Sequence, residues 1–234
     1  MTRRRWIADR VSGNHAVLLG EHAAHLARVL RAQVGQEFDV AADGVVRRGR
    51  VLSVAEERVE FELGGELEAA PVAQVTLALA IFKFDRMEWA IEKCTELGVT
   101  RIVPFAARRT DAHLAAAAVK RVERWRRVAR EASEQARRAA PPEIANPVTL
   151  RDVLGLPGAR RIVLSEVETS VAFGELCGPG ASTVLALGPE GGWTNEELQA
   201  FAKAGWKAAS LGPTILRAET AAIAALAVVM AQAT

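Results

Sequence analysis

From Val75 onward, apolar runs of strand length alternate with helix-like segments: "VTLALAIF" (75–82), "RIVPF" (101–105), "RIVLSE" (161–166), "TVLALG" (183–188) and "AASLG" (208–212). Near-continuous apolar runs are what strands buried on both faces require, and the intervening helices supply the cover. The pattern therefore predicts an α/β domain built on a mostly parallel sheet. Residues 1–70 have another rhythm. There "EFDVA", "VVRRGRVLSV" and "RVEFEL" alternate polar with apolar positions, separated by Gly35, Asp43-Gly44 and Gly64-Gly65, and one short helix, "EHAAHLARVLR", interrupts them. A small barrel-like β domain fits this stretch, of a kind that binds RNA among other ligands, and the loop from Glu68 to Pro71 marks the boundary between domains 1–70 and 71–234. With 234 residues, half of them hydrophobic, there is enough chain to bury a real core.

The net charge of +2 hides basic clusters: Arg3, Arg4 and Arg5; Arg47, Arg48 and Arg50; and the stretch from Lys120 to Arg138. Clustered arginines bind phosphates by counterion release or form a solvated helix face. Within the last stretch, Val122, Trp125, Val128, Ala129 and Ala132 recur at helical spacing, which assigns Trp125 to the core rather than to base stacking. The segment from Asp85 reads as a helix with Asp85 as N-cap, Glu88 at N3, an apolar stripe of Met87, Ile91, Cys94 and Leu97, and Gly98 as its stop. Cys94 and Cys177 lie far apart and His15, His22, His25 and His113 lack ligand spacing, so neither a disulfide framework nor a metal site is expected. No leader-like start is evident and the apolar run after Glu219 is too short to span a bilayer, which sets the expectation of a cytoplasmic protein without membrane association.

Two turns carry the functional signal. In "LGPEGGWTNEEL" (187–198) Gly192 is followed by Trp193, where a Walker phosphate loop needs lysine and then a hydroxyl residue. Gly188, Gly191 and Gly192 do not fit G-x-G-x-x-G, and Glu190 would repel a polyphosphate at close range. What is left is a strand-to-helix turn that suits a nucleoside read by main-chain groups, or a tight structural connection with glycines chosen for their dihedrals. The helix behind it is well specified, with Thr194 and Glu197 as a capping box and Trp193 placed to staple onto Leu198. The second turn, "SLGPTILRAETA" (210–221), repeats the arrangement: a short strand, Gly212-Pro213, then Arg217, Glu219 and Thr220 at the mouth of an apolar helix. Two such loops can face each other.

Together with "RMEWAIEKCTELGV" (86–99) and the N-terminal "HLARVLR" (25–31), these turns resemble the bacterial 16S ribosomal RNA uridine-N3 methyltransferases of the SPOUT superfamily, and the resemblance runs over nearly the whole chain. It implies a small PUA-like β-barrel domain followed by an α/β domain tied in a C-terminal trefoil knot, and a homodimer. It implies S-adenosylmethionine bound by Leu187, Gly188, Pro189, Glu190, Gly191 and Gly192 from the first loop and Leu211, Gly212, Ile215 and Leu216 from the second. Leu164 and Ser165 would line a third side, although "LSEVE" departs from the family pattern there. Arg28, Arg31, Lys83, Arg86, Arg109 and Arg138 match basic family positions and would bind RNA, while Arg137 stands where the family has glycine. Lys93 reads equally as a surface partner of Glu92 and Glu96.

The implied reaction methylates N3 of one uridine in 16S rRNA of the small ribosomal subunit. Neutral uracil N3 is a poor nucleophile, so its proton must leave and the resulting charge must be held. Arg217 is placed to stabilise that charge, and Glu219 to take the proton or orient Arg217; Thr220 would cap the helix. No metal is needed. Two other readings remain: a related knotted methyltransferase acting on another base or a ribose 2′-hydroxyl, and a non-catalytic RNA-binding ribosome-assembly protein.

Overall fold

The apolar runs after Val75 do become strands of one parallel sheet. In the computed structural model, which describes residues 5–67 and 73–233, the chain divides into two units. One comprises residues 5–67 with Ser133–Pro141, the other residues 73–132 and 142–233. Arg3, Arg4 and the expected boundary loop Glu68 to Pro71 lie outside the described residues.

In the first unit β1 (Trp6–Ile7), β2 (Arg10–Ser12), β3 (His15–Leu19), β4 (Glu37–Ala42), β5 (Val45–Ala55) and β6 (Arg58–Glu66) form a sheet in the order β1-β4-β5-β6-β3-β2. Every pairing is antiparallel except that of β1 with β4. Asp43 and Gly44, both left-handed at φ 52° and 78°, close the β4–β5 hairpin, the conformation a two-residue turn needs to match strand twist. Gly64 and Gly65 do not separate strands as expected but lie within β6. Alternation places Trp6, Leu18, Val40, Val51, Val59 and Phe61 in the core, where Leu26 joins them. The short helix is two-part: α1 (Gly20–Ala24) runs into a wider π-type turn over His25–Val29. The second arginine cluster is largely tied down, since Arg47 donates to the Gly64 carbonyl at 2.9 Å and Arg48 pairs with Asp39 at 3.2 Å.

The second unit contains β7 (Val75–Ala80), α2 (Phe84–Leu97), β8 (Arg101–Ala106), α3 (Ala112–Ala118), most of α4 (Val122–Gln135), β9 (Glu143–Ile144), β10 (Val148–Thr149), α5 (Leu150–Leu154), β11 (Arg160–Leu164), α6 (Phe173–Leu176), β12 (Thr183–Leu187), α7 (Asn195–Lys203), β13 (Lys207–Ala209) and α8 (Ala218–Ala233). Its strands run β10-β8-β7-β12-β11-β13 with β9 beside β8, and every pair is parallel. Two separate clusters pack the unit. One gathers Leu77, Leu79, Met87, Ile91, Trp125, Phe173, Leu185 and Leu226, and the other gathers Phe105, Val153, Val184, Trp193, Phe201 and Trp206. Trp125 is fully buried and meets Phe84 edge-on at 5.9 Å, as its spacing predicted.

Two local expectations need correction. Helix α2 starts one residue before Asp85, its N-cap is Lys83, and no side chain caps it; Glu88 instead accepts from Arg124 at 2.7 Å. A carboxylate offered an arginine from a neighbouring helix has a charge-assisted alternative to a backbone amide. Leu97, the last residue of the expected stripe, is exposed, while Gly98 does end the helix at φ 106°.

Candidate active site

Both glycine loops open from C-terminal strand ends in the second unit, where parallel sheets place ligand sites. The first follows β12. Gly192 is left-handed at φ 69° and its N–H donates to the Pro189 carbonyl at 2.9 Å, so the loop folds back on itself before α7. The expected capping box is present: the Thr194 side chain accepts from the Glu197 amide at 3.3 Å and Glu197 accepts from the Thr194 amide at 2.9 Å. Trp193 stacks on Phe105 with centroids 6.1 Å apart, and its indole N–H donates to the Leu164 carbonyl at 2.7 Å. That bond ties the first loop to the end of β11.

The second loop follows β13. Gly212, at φ 131°, donates its N–H to Ser210 Oγ at 3.2 Å, and the Ser165 amide donates to the Ala209 carbonyl at 3.0 Å. The two loops and the β11 end enclose one cavity of about 510 Å³, a size suited to a nucleoside-based cofactor. Leu164, Ser165, Leu187, Gly188, Pro189, Glu190, Gly192, Leu211, Gly212, Ile215 and Leu216 line it, with Arg217, Lys83 and Arg86. Gly191 alone among the expected cofactor residues is not in the wall. Its carbonyl accepts from Arg109 Nη1 at 2.7 Å, and a β-carbon there would press on the Arg109 stem at 3.3 Å.

The charged groups are sorted by one arginine. Arg86 pairs with Glu190 at 2.8 Å and lies 3.8 Å from Glu219, whose side chain is 7% exposed and whose Oε2 has no hydrogen-bond partner. Glu219 is therefore behind the wall, facing Arg86, and Arg217 is free of the surface ion pair with Glu219 that would have made it merely structural. Thr220 does not cap α8. The helix begins at Ala218, which places Thr220 inside its first turn, and the Ala221 amide donates to the Arg217 carbonyl at 2.8 Å.

The basic residues separate. Lys83 and Arg86 reach the cavity and Arg109 braces its loop. Arg28, Arg31 and Arg138 belong to the first unit, where Arg28 pairs with Glu56 and Arg31 is exposed at φ 50°. Arg138 is half-buried, and that burial pulls its pKa below the usual guanidinium value. Lys93 pairs with Glu92 at 2.7 Å and Glu96 at 2.8 Å. Among lining residues that motif reading passed over, Glu166, Ser210 and Thr214 are polar groups, and none has a type or spacing that marks it from sequence. No helix among the described residues is long and apolar enough to cross a membrane, and none of their His, Cys, Asp and Glu side chains gather in a metal-binding group.

A parallel α/β unit whose glycine turns line a nucleoside-sized cavity, with an arginine in its wall and a buried glutamate behind it, is an arrangement for holding a nucleoside-based ligand. The chain belongs to the RNA methyltransferase domain family, whose pattern matches residues 68–230. It is similar to proteins called ribosomal RNA small subunit methyltransferase E: 36% identical to that of Synechocystis sp. over 87% of this chain and 68% of the relative, and 31% identical to that of Bacillus subtilis over 92% and 89%. A crystal structure of the Neisseria gonorrhoeae protein of that name, bound to S-adenosyl methionine, superposes with a TM-score of 0.87 at 28% identity, covering 99% of this chain and 98% of that one.

Proposed function

We propose that this protein is an S-adenosylmethionine-dependent methyltransferase acting on N3 of one uridine of 16S rRNA in the small ribosomal subunit. The observation that carries the reading is the convergence of both glycine loops and the β11 end on one cavity with Arg217 in its wall. The cavity fits the cofactor: glycine turns bring main-chain groups close and leucine side chains line the walls. When bound, S-adenosylmethionine supplies an electrophilic methyl on a sulfonium, whose transfer leaves the carbon–sulfur electron pair on a neutral thioether.

The chain's own residues have the remaining work. Arg217 holds the charge that grows on the uracil carbonyls as N3 loses its proton, and Arg86 fixes Glu190 and the Glu219 carboxylate behind the wall relative to each other. N3 lies on the Watson–Crick edge, so the target uridine is unpaired or extruded when it reacts. Arg28 and Arg31 in a PUA-like domain of residues 1–70, with Lys83, Arg86, Arg109 and Arg138 of the domain 71–234, bind the RNA backbone.

The same reading includes a C-terminal trefoil knot, homodimerisation, catalysis without a metal and action in the cytoplasm. For the knot, the support is that Ser210 pairs in parallel with Ala172 before the chain continues past the cavity into α8, which packs on α2. The test is methyl transfer from labelled S-adenosylmethionine to small subunits lacking the modification and to naked 16S rRNA, followed by identification of the nucleoside. N3-methyluridine is expected. Label on another base atom or a 2′-oxygen overturns the N3 assignment, and no transfer from a protein that binds the cofactor overturns the enzyme.

A further inference from the structure

Three carboxylates stand in or directly behind the cavity wall, and only one of them lacks a cation. Glu190 is held by Arg86 at 2.8 Å, and Glu219 faces the same guanidinium at 3.8 Å. Glu166, on the loop that leaves β11, lines the cavity and has no ion pair or hydrogen bond among the described residues. The carboxylate lies against the first loop at Gly192, where a β-carbon would meet its Oε1, the far end of a flexible side chain. Gly192 is required by its left-handed turn at φ 69°, and the Glu166 carboxylate occupies the space beside it. Glu166 is exposed to solvent in the empty cavity, and a ligand that displaces that water strengthens the charge interaction the carboxylate makes with it.

We infer that Glu166 is a specificity-determining residue that reads the positive charge of the methyl donor, favouring the sulfonium ligand over its neutral thioether product. The inference rests on the S-adenosylmethionine reading above and adds to it a role for a residue outside both glycine motifs. The two ligands share the adenosine and amino-acid parts, so hydrogen bonds to the ribose or to the amino acid affect both alike. They differ by one methyl group and one positive charge, and a carboxylate placed for the sulfonium separates them through the charge. The methyl-transfer step removes that charge, and Glu166 thereby loosens the product relative to the donor without any movement of the loops.

The test is calorimetric titration of the intact protein with S-adenosylmethionine and, separately, S-adenosylhomocysteine, in the wild type and in Glu166→Gln. A single charge–charge interaction in a partly polar site is worth about a tenfold change in binding, so donor affinity should fall by about that factor while product affinity stays within roughly twofold. Product binding is the control for an intact cavity. Equal weakening of both ligands, or no change in either, overturns the inference. Glu166→Asp, which keeps the charge, should keep the preference for the donor. If Glu166→Gln binds neither ligand, the wild type decides, because raising salt must then weaken the donor more than the product, and parallel loss overturns the inference. Wild-type protein that binds neither ligand removes the underlying cofactor reading instead.

Discussion

At the scale of single residues, Arg217 is where chemistry should be most sensitive. Removing one preorganised donor that stabilises developing charge costs about 10²–10³ in rate, so Arg217→Ala should lose methyl transfer to that extent with unchanged cofactor affinity and an unchanged melting curve. A rate within a few-fold of wild type would return Arg217 to the surface. Arg109 makes a different prediction. Its guanidinium holds the Gly191 carbonyl at 2.7 Å, and a hydrogen bond from a charged group is worth about 1.5–3 kcal/mol, so Arg109→Ala should weaken S-adenosylmethionine binding about tenfold or more before any RNA is added. Titration of the cofactor alone measures this. Arg137 sits at φ 56°, a left-handed conformation that costs a side-chain-bearing residue about 1–2 kcal/mol and costs glycine little. Arg137→Gly should therefore be neutral or stabilising by up to about 1 kcal/mol in chemical denaturation, with its greater unfolded-chain entropy offsetting part of the gain.

At the scale of elements, α7 depends on its cap and α2 on its buried stripe. Both halves of the Thr194–Glu197 box are formed, so Thr194→Ala should cost about 1 kcal/mol, read from the denaturation midpoint, and should also loosen the adjoining glycine loop. On α2, burial pushes the Cys94 thiol up to about 12. The folded state favours the neutral thiol, so stability linked to Cys94 is intact below the unfolded thiol's ordinary pKa and is lost as pH rises through the folded value. In the native protein at mildly alkaline pH, alkylation should reach the half-buried Cys177 and spare Cys94 until denaturant is added.

At the scale of the whole molecule, ligand binding and folding are coupled through the second unit. The first loop is tied to β11 by the bond from Trp193 to the Leu164 carbonyl, and the second by the amide of Ser165 to Ala209, so a ligand spanning the cavity bridges β11, β12 and β13 at once. At a hundredfold excess over its dissociation constant, S-adenosylmethionine should stabilise the folded state by about 2.7 kcal/mol, seen as a raised melting temperature that falls back on dialysis.

The α/β class of the second unit was legible from Val75 onward because a strand buried on both faces needs an apolar run whatever its neighbours are. The same holds for the Trp125 face of α4, for the capping box of α7 and for eleven of the twelve cavity-lining residues inferred from the family motifs, all carried by short stretches of chain. The cap of α2 was not legible, since Glu88 answers to Arg124, 36 residues away, and no local pattern announces a competitor. Nor was the sorting of charges: Arg86 pairs with Glu190 over 104 residues, Arg109 meets Gly191 over 82, and Glu166 reaches Gly192 from another loop. Periodicity, caps and turns are properties of neighbours in sequence, and the sequence determined them. Which carboxylate keeps a cation and which is left for a ligand depends on distances between distant segments, and only the tertiary structure decided that.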